Sequence, residues 1–188
     1  MKKLYIKLTP YILLLAFLNR PAVNTYSQTF DLEDKVLSAG IGFGYTYGFV
    51  SGASSWPAIH LSFEKGFREL SDIGIVSLGG ILGFQHASVS DLKWNDFIIG
   101  GRGTLHLTTL DIDNVDVYGG ASLGLRIYST PKWVAIGLLD WEWKSDTSVG
   151  AFLGFFAGGR YYFTETIAAF AELGWDVAWF KLGISAKL

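Results

Sequence analysis

The chain has no cysteine and only 4 prolines and 1 methionine among its 188 residues. The absence of cysteine excludes disulfide bonds, a zinc–thiolate site, a cysteine nucleophile and an acylated cysteine as a lipid anchor. Charged residues make up only 17% of the sequence, below the roughly one quarter or more that a solvated surface carries. The net charge of −2 is close to balance and gives no reason to expect a nucleic-acid partner.

Long apolar runs are also missing. The longest, residues 12–18, is far shorter than the roughly 18–20 residues that a membrane-spanning helix needs. Nevertheless, half of the residues are hydrophobic, 16% are aromatic and the mean hydropathy is +0.32. The apolar residues must therefore alternate with small and polar ones. The 23 glycines are unfavourable in helices and favour strands that pack closely or curve.

The N-terminus has the three parts of a signal peptide. Positive side chains come first, at Lys2, Lys3 and Lys7, and the apolar residues 11–18 follow. Thr25-Tyr26-Ser27 then places small residues at positions −3 and −1 of a cleavage site before Gln28. We therefore predict an exported protein in which residues 1–27 are the signal peptide and residues 28–188 form one domain.

From residue 36 onward the sequence alternates with a period of two, which is typical of β-strands. About eight segments have this pattern, at residues 36–47, 58–66, 73–85, 96–106, 115–127, 149–162, 166–174 and 181–188. Most are close to the length that a tilted strand needs to cross a bilayer. Their connections alternate between short and long, as in outer-membrane barrels. The pattern predicts an all-β, antiparallel up-and-down transmembrane β-barrel of about eight strands with both termini on the periplasmic side.

Alternation alone does not decide which face of the barrel meets water. A soluble antiparallel barrel has its apolar face inside, whereas a membrane barrel has lipid outside and a polar interior. The polar positions here are mostly Gly, Ser and Thr with isolated charges, which is too sparse for a solvated surface. We therefore expect the apolar face outside. A soluble periplasmic lipid-binding barrel is the alternative.

Aromatic residues gather near the predicted strand ends. Those expected at the outer ends are Tyr45, Trp56, Trp94, Tyr128, Trp175 and Trp179, and those expected near the inner ends include Phe63, Phe67, Tyr161, Tyr162 and Phe163. Two such bands are typical of the aromatic girdles that form at membrane–water interfaces.

The C-terminus ends on a recognisable pattern: a polar residue, a glycine two positions on, and apolar residues third-last and last, at Lys181, Gly183, Ala186 and Leu188. This pattern resembles the assembly signal of outer-membrane barrels, with Leu188 where an aromatic residue is usual. With the signal peptide and the strand count, the chain resembles small OmpX-like or opacity-type outer-membrane proteins of Gram-negative bacteria over nearly its whole length. The resemblance implies an integral outer-membrane location, recognition by the barrel assembly machinery, and contact with outer-membrane lipids and lipopolysaccharide.

An eight-stranded barrel is filled by its own side chains and has no open aqueous channel. The positions expected to point inward include seven charged residues: Glu64, Arg102, Asp116, Arg126, Arg160, Glu172 and Lys181. Charges in such a space must be paired or hydrated. We therefore expect a salt-bridged plug and a structural or adhesin-like role. A narrow, porin-like channel for ions or small solutes is the alternative.

The connection at residues 129–148 is unusually apolar for a segment in water, and it contains Trp133, Trp141 and Trp143. Exposed apolar clusters tend to mark interaction sites, so one interpretation is a loop that binds an extracellular ligand or surface. The other is a hairpin in which the fifth and sixth strands extend beyond the membrane.

A third functional class is a lipid A-modifying enzyme. His86 and Ser88 have the spacing of the His-x-Ser pair in lipid A deacylase barrels, in which His acts as base and Ser as nucleophile. The pair lies early in the chain, and only Asp91 or Asp96 could supply an orienting acid. We therefore expect no catalytic residue. His60 and His106 are expected to fill space rather than bind metal, so no metal or cofactor is expected, and the protein is expected to be a monomer.

Overall fold

The computed structural model describes residues 30–44, 54–90, 92–110, 112–135 and 141–188. It contains nine strands and one 3-10 turn, Thr108–Leu110. The strands are β1 Lys35–Phe43, β2 Ser54–Ser55, β3 Ala58–Leu70, β4 Gly74–Val89, β5 Leu92–Leu107, β6 Val115–Ala135, β7 Trp141–Tyr162, β8 Ile167–Gly174 and β9 Phe180–Lys187. Within these ranges, no helix has the length and apolar character required to span a membrane. The predicted signal peptide lies outside the described residues.

Eight of these strands form a closed antiparallel ring. The order around the ring is β4-β3-β1-β9-β8-β7-β6-β5, and β5 pairs back onto β4. The two-residue β2 pairs only with β4, at Ser88 and Ala87. Because the ring is closed, each of the eight strands is hydrogen-bonded to a neighbour on both sides over the height that the strands share. A strand in lipid requires this pairing. The predicted up-and-down barrel of about eight strands is confirmed.

The two faces of the wall have opposite character. Outward leucines are largely exposed, for example Leu123 at 64% and Leu173 at 64%, whereas inward polar residues such as Ser122 and His60 are fully buried. A soluble barrel has the reverse arrangement, and lipid is the solvent that favours an apolar outer wall around a polar interior. The fold is therefore a β-barrel of the transmembrane type.

Several strands are longer than the sequence predicts. Residues 86–89 pair with residues 92–95, and β3 continues to Leu70 through a register shift between Gly66 and Arg68. The segments predicted from the alternation leave residues 67–72 and 86–95 in connections, but residues 67–70, 86–89 and 92–95 belong to strands. Alternating hydropathy marks the part of a strand between lipid and interior, and the pattern is lost where pairing continues beyond that part. In the first predicted strand, residues 45–47 lie outside the described residues.

The ring has two ends. The inner end carries Phe30 and Leu188 together with residues 71–73, 108–110, 112–114 and 163–166. The outer end carries the end of β4 and the start of β5, the last described residues of β6 and the first of β7, and residues 175–179 between β8 and β9.

Candidate functional site in the barrel interior and at the outer end

Charged side chains from six different strands meet in the middle of the barrel. Each lies at an inward position and is 3% exposed or less. They are Glu64 on β3, Arg102 on β5, Asp116 on β6, Arg160 on β7, Glu172 on β8 and Lys181 on β9. The strands bring these residues together because period two fixes their face and the antiparallel register fixes their height. We call this set the central cluster.

Arg102 lies between the two glutamates of the cluster. Its Nε is 2.7 Å from Glu64 Oε1, and its Nη2 is 2.5 Å from Glu172 Oε1. The guanidinium carbon lies 3.6 Å from the centre of the Phe156 ring. Arg102 therefore holds two carboxylates in place and also packs against an aromatic face, which favours a cation.

Arg160 makes a second bridge. Its Nη2 donates to Glu64 Oε2 at 2.9 Å, and its Nη1 donates to Asp116 Oδ2 at 3.1 Å. Asp116 also contacts His106 Nδ1 at 2.9 Å, and the hydroxyl of Tyr118 donates to Glu172 Oε1 at 2.9 Å. Together with the two ion pairs of Arg102, these contacts join Glu64, Asp116 and Glu172 into one network.

Lys181 connects the cluster to the outer end. Its Nζ is 2.8 Å from Glu172 Oε2 and 2.5 Å from Asp176 Oδ1. Four carboxylates thus face two arginines, one lysine and His106. Buried charges are tolerated only when they are paired in this way.

Arg126 was expected in the same set, but the structure places it apart from the central cluster. It forms a separate ion pair with the buried Asp96, and its own side chain is 30% exposed. The sequence did not single out Asp96, Tyr118 or Asp176 as members of the buried polar interior, whereas His106 is expected there as a filler. Inward alternation marks Asp96 and Tyr118, but Asp176 lies in a turn, where period two gives no information.

An apolar group lies in the barrel above the central cluster. Val177 and Ala178 of the β8–β9 connection are 1% and 2% exposed, and they pack on the inward side chains of Ala58, Ile81, Ile98 and Phe152. The Gln85 amide donates to the Val177 carbonyl. A Cβ on Gly83 would lie 2.6 Å from Val177 Cγ2, so this glycine leaves the space that Val177 fills. We call Val177 and Ala178 the outer stopper.

A second apolar group lies at the inner end of the barrel. Phe30 is 2% exposed and packs with Val36 and Ile75. Its ring lies flat on the His106 ring, with the centroids 3.6 Å apart and the planes 1° from parallel. No sequence signal pointed to Phe30, because it precedes the first strand. We call Phe30 the inner stopper.

In the apolar connection, the described residues 129–135 and 141–148 are paired strand rather than irregular loop. β5 pairs with β6 only as far as Asn95 and Ser129, whereas β6 and β7 continue to the pair Ala135 and Trp141. Trp143 is half exposed and lies in register with Trp133. The side chains of Trp133 and Trp141 lie outside the description. We call residues 129–135 and 141–148 the outer hairpin.

Most of the expected aromatic girdle lies at the wall ends. Trp56, Trp175 and Trp179 are 73%, 76% and 55% exposed at the outer end, and Trp94 and Tyr128 are partly buried there. At the inner end Phe67, Tyr161 and Phe163 are exposed. Tyr162 is the exception to the expected inner band, because it occupies an inward position and is only 6% exposed. Tyr45 lies outside the described residues.

The four positions of the C-terminal pattern lie on or just after β9. This last strand pairs with the first strand, β1, and so closes the ring between them. Lys181 points inward into the central cluster, whereas Leu188 is 73% exposed at the inner end. The small Gly183 lets β1 approach, because a Cβ there would lie 2.1 Å from the Ala39 carbonyl oxygen. Ala186 is partly buried.

The structure does not supply an acid for the His86 and Ser88 pair among the described residues. His86 Nδ1 contacts Asn95 Oδ1 at 2.8 Å, and Asp96 lies on the inward face, where it pairs with Arg126. Asp91 lies outside the description. An amide in place of a carboxylate cannot stabilise an imidazolium by charge, so among the described residues the pair has no third member of a nucleophile–base–acid set.

Neither inward histidine belongs to a metal-binding group, because the described residues contain no cluster of three His, Asp or Glu side chains suited to a metal ion. His106 is held by Ser77, at 3.0 Å, and by Asp116. His60 is fully buried, and its ring meets Phe170 edge-on at a centroid distance of 5.9 Å.

Comparison with known proteins gives structural likeness only. No protein-family model and no curated protein matches the sequence. The structure is similar to the N-terminal β-barrel domain of Pseudomonas aeruginosa OprF, with 18% identity, 83% of this chain and 98% of that chain covered, and a TM-score of 0.44. It is also similar to the Yersinia pestis outer membrane protein Ail in a phospholipid bilayer nanodisc, with 16% identity, 83% and 99% covered, and a TM-score of 0.47.

Proposed function

We propose that this chain is an integral outer-membrane β-barrel of a Gram-negative bacterium, exported by its signal peptide, with a structural and surface-interaction role. The observation that carries the proposal is the inverted wall: outward leucines stand exposed around an interior of paired charges. Such a wall is stable only where lipid replaces water outside. Its neighbours would be outer-membrane lipids and lipopolysaccharide, and Lys181, Gly183, Ala186 and Leu188 would be read by the assembly machinery.

The interior supports a closed barrel rather than a channel. The six charged residues of the central cluster and Asp176 are mutually paired in the middle of the barrel, and apolar stoppers lie above and below them. A hydrated ion would have to break these ion pairs and also displace apolar side chains at both ends. The narrow channel is therefore the second candidate, favoured only by the polarity of the middle section.

The outer hairpin is the part of the molecule best placed to meet other molecules outside the cell. It extends six residue pairs beyond the last pair between β5 and β6. Trp143 is 51% exposed on it, and aromatic side chains are enriched where proteins bind partners. We therefore propose an adhesin-like role for the protein and no enzymatic activity.

Single-channel recording tests the closed barrel directly. The purified protein is reconstituted in a planar lipid bilayer, and folded insertion is verified in the same preparation by its mobility shift on heating. We expect a silent membrane with only rare, brief openings. Frequent ion-selective openings would replace the structural role by the channel.

A further inference from the structure

The two stoppers are attached to the barrel in different ways. The outer stopper belongs to a short connection whose flanks are tied to three strands: Gly174 N–H donates to Trp179 C=O at 2.9 Å, Trp175 N–H donates to Phe155 C=O at 2.7 Å, and Trp179 N–H donates to Phe43 C=O at 3.1 Å. Asp176 beside it is paired with Lys181. The outer stopper therefore cannot leave without disrupting the wall.

The inner stopper lies on a strap, residues 30–34, that precedes β1 and has no strand partner. Among the described residues, the polar contacts that tie this strap to the barrel wall converge on Asp34, and the backbone of Asp31 and Leu32 packs against Gly66 on β3. The Asp34 carbonyl accepts from Gly66 N–H at 3.1 Å, and the Asp34 carboxylate lies 2.7 Å from Lys187 Nζ. The remaining polar contacts of the strap join Asp31 to Asp34 within it. Residues 31–33 are exposed, so Phe30 is held mainly by its own packing.

The groups that the Phe30 ring covers are polar and would be hydrated if the ring moved away. His106, which the Phe30 ring covers, contacts Asp116, Ser77 and, at 3.6 Å, Glu64. Withdrawal of Phe30 would expose its apolar ring, which is unfavourable, but it would hydrate these polar groups, which is favourable. Because these two free-energy contributions oppose each other, Phe30 can occupy two positions, one covering the polar groups and one withdrawn from them.

We propose that residues 30–34 form a hinged strap, with Asp34 as the hinge, that moves Phe30 out of and back into the inner mouth while the barrel stays folded. In the open position a vestibule lined by Ser77, His106 and Asp116 faces the periplasm. The outer stopper stays closed, so the vestibule has no exit. The strap requires only the barrel fold, whereas the direction that the vestibule faces rests on the proposed function.

Thiol labelling tests the strap, since the chain has no cysteine of its own. Ser77→Cys is a nearly isosteric reporter beneath Phe30, and Ser77 is fully buried. Ala58→Cys is the matched reporter beneath the outer stopper, where Ala58 is also fully buried. Each protein is treated in folded form with a small water-soluble thiol reagent, and the fold is verified by the mobility shift on heating.

We expect Ser77→Cys to be labelled at least about tenfold faster than Ala58→Cys. Adding Phe30→Ala should accelerate labelling at position 77 by more than about tenfold, because the packing of a large aromatic ring is lost, and should leave position 58 unchanged. Asp34→Asn, which weakens the hinge contact with Lys187, should accelerate labelling at position 77 only.

Equal labelling rates at positions 77 and 58, or no effect of Phe30→Ala, would overturn the strap while leaving the membrane barrel intact. A Ser77→Cys protein that reacts only after unfolding would make Phe30 a fixed plug. Loss of the mobility shift already in the unmodified protein would instead contradict the proposed function.

Discussion

Arg160 on β7 donates to Glu64 on β3 at 2.9 Å, and β3 is the strand directly opposite β7 in the eight-stranded ring. A contact between opposite walls braces the barrel across its full width. The same guanidinium also holds Asp116 at 3.1 Å. The central cluster therefore links opposite walls of the barrel through direct contacts.

Removing this brace should be strongly destabilising. Arg160→Gln removes the cation that Glu64 and Asp116 share in the buried interior, and breaking a buried ion pair typically costs about 3–5 kcal/mol. Urea unfolding of the protein folded into lipid vesicles measures the change in the free energy of unfolding. The control is Lys132→Gln, whose partner Asp146 lies 3.6 Å away with both side chains more than half exposed. This exposed pair should contribute only about 0–1 kcal/mol. Equal effects of the two substitutions would mean that the cluster is hydrated.

Substitution by alanine should change the free energy of unfolding differently at two glycines of the wall. At Gly83 a Cβ would meet Val177 Cγ2 at 2.6 Å, whereas at Gly101 the nearest atom is 3.9 Å away. We expect Gly83→Ala to push the outer stopper away and lower the free energy of unfolding by about 1–3 kcal/mol. Gly101→Ala should be neutral or slightly stabilising, because a strand glycine gains order from a side chain. If Gly83→Ala were neutral, Val177 would not be seated as described.

The outward face can be tested with a single charge. Leu123 is 64% exposed in the middle of the wall, and an arginine on the lipid face of a membrane barrel costs about 2–4 kcal/mol at the bilayer midplane. We expect Leu123→Arg to lower the free energy of unfolding in vesicles by that amount. Thr147→Arg, on the exposed part of the outer hairpin, is the control and should change it little. An equally small effect at both positions would place water rather than lipid against Leu123.

The eight strands and their faces could be predicted because lipid and interior impose a period of two on every residue between them. The stoppers could not. Val177 lies in a turn and Phe30 lies before the first strand, so neither belongs to any alternating segment. Their burial depends on what the folded barrel leaves open at its two ends, a property of the ring and not of the local sequence. The ends of the strands were missed for a related reason, since pairing in water leaves no hydropathy signal.

Among the inward charges, the sequence identified residues but not partners. Glu64, Arg102 and Glu172 could be assigned to the interior from alternation, but their contacts depend on the stagger between strands that lie far apart in the chain. Arg126 illustrates the limit, because one further step toward the outer end places it beside Asp96 rather than in the central cluster.

The enzyme hypothesis makes a simple prediction. If His86 contacts Asn95 and has no acid partner, Ser88→Ala should leave the acylation of lipid A unchanged in cells that express the protein. Mass spectrometry of extracted lipid A measures this, with an uninduced strain as control. A difference in acyl chains that Ser88→Ala abolishes would establish the enzyme and replace the proposed role.

The central claim, a barrel with its apolar wall in the outer membrane, is tested most directly by the mobility of the mature protein from detergent-extracted outer-membrane fractions, run unheated and boiled. A compact barrel that resists detergent until boiled should give two different mobilities, and the protein should be absent from the soluble periplasmic fraction. Recovery in the periplasmic fraction with one mobility under both conditions would contradict the account and would mean that the apolar face lies inside.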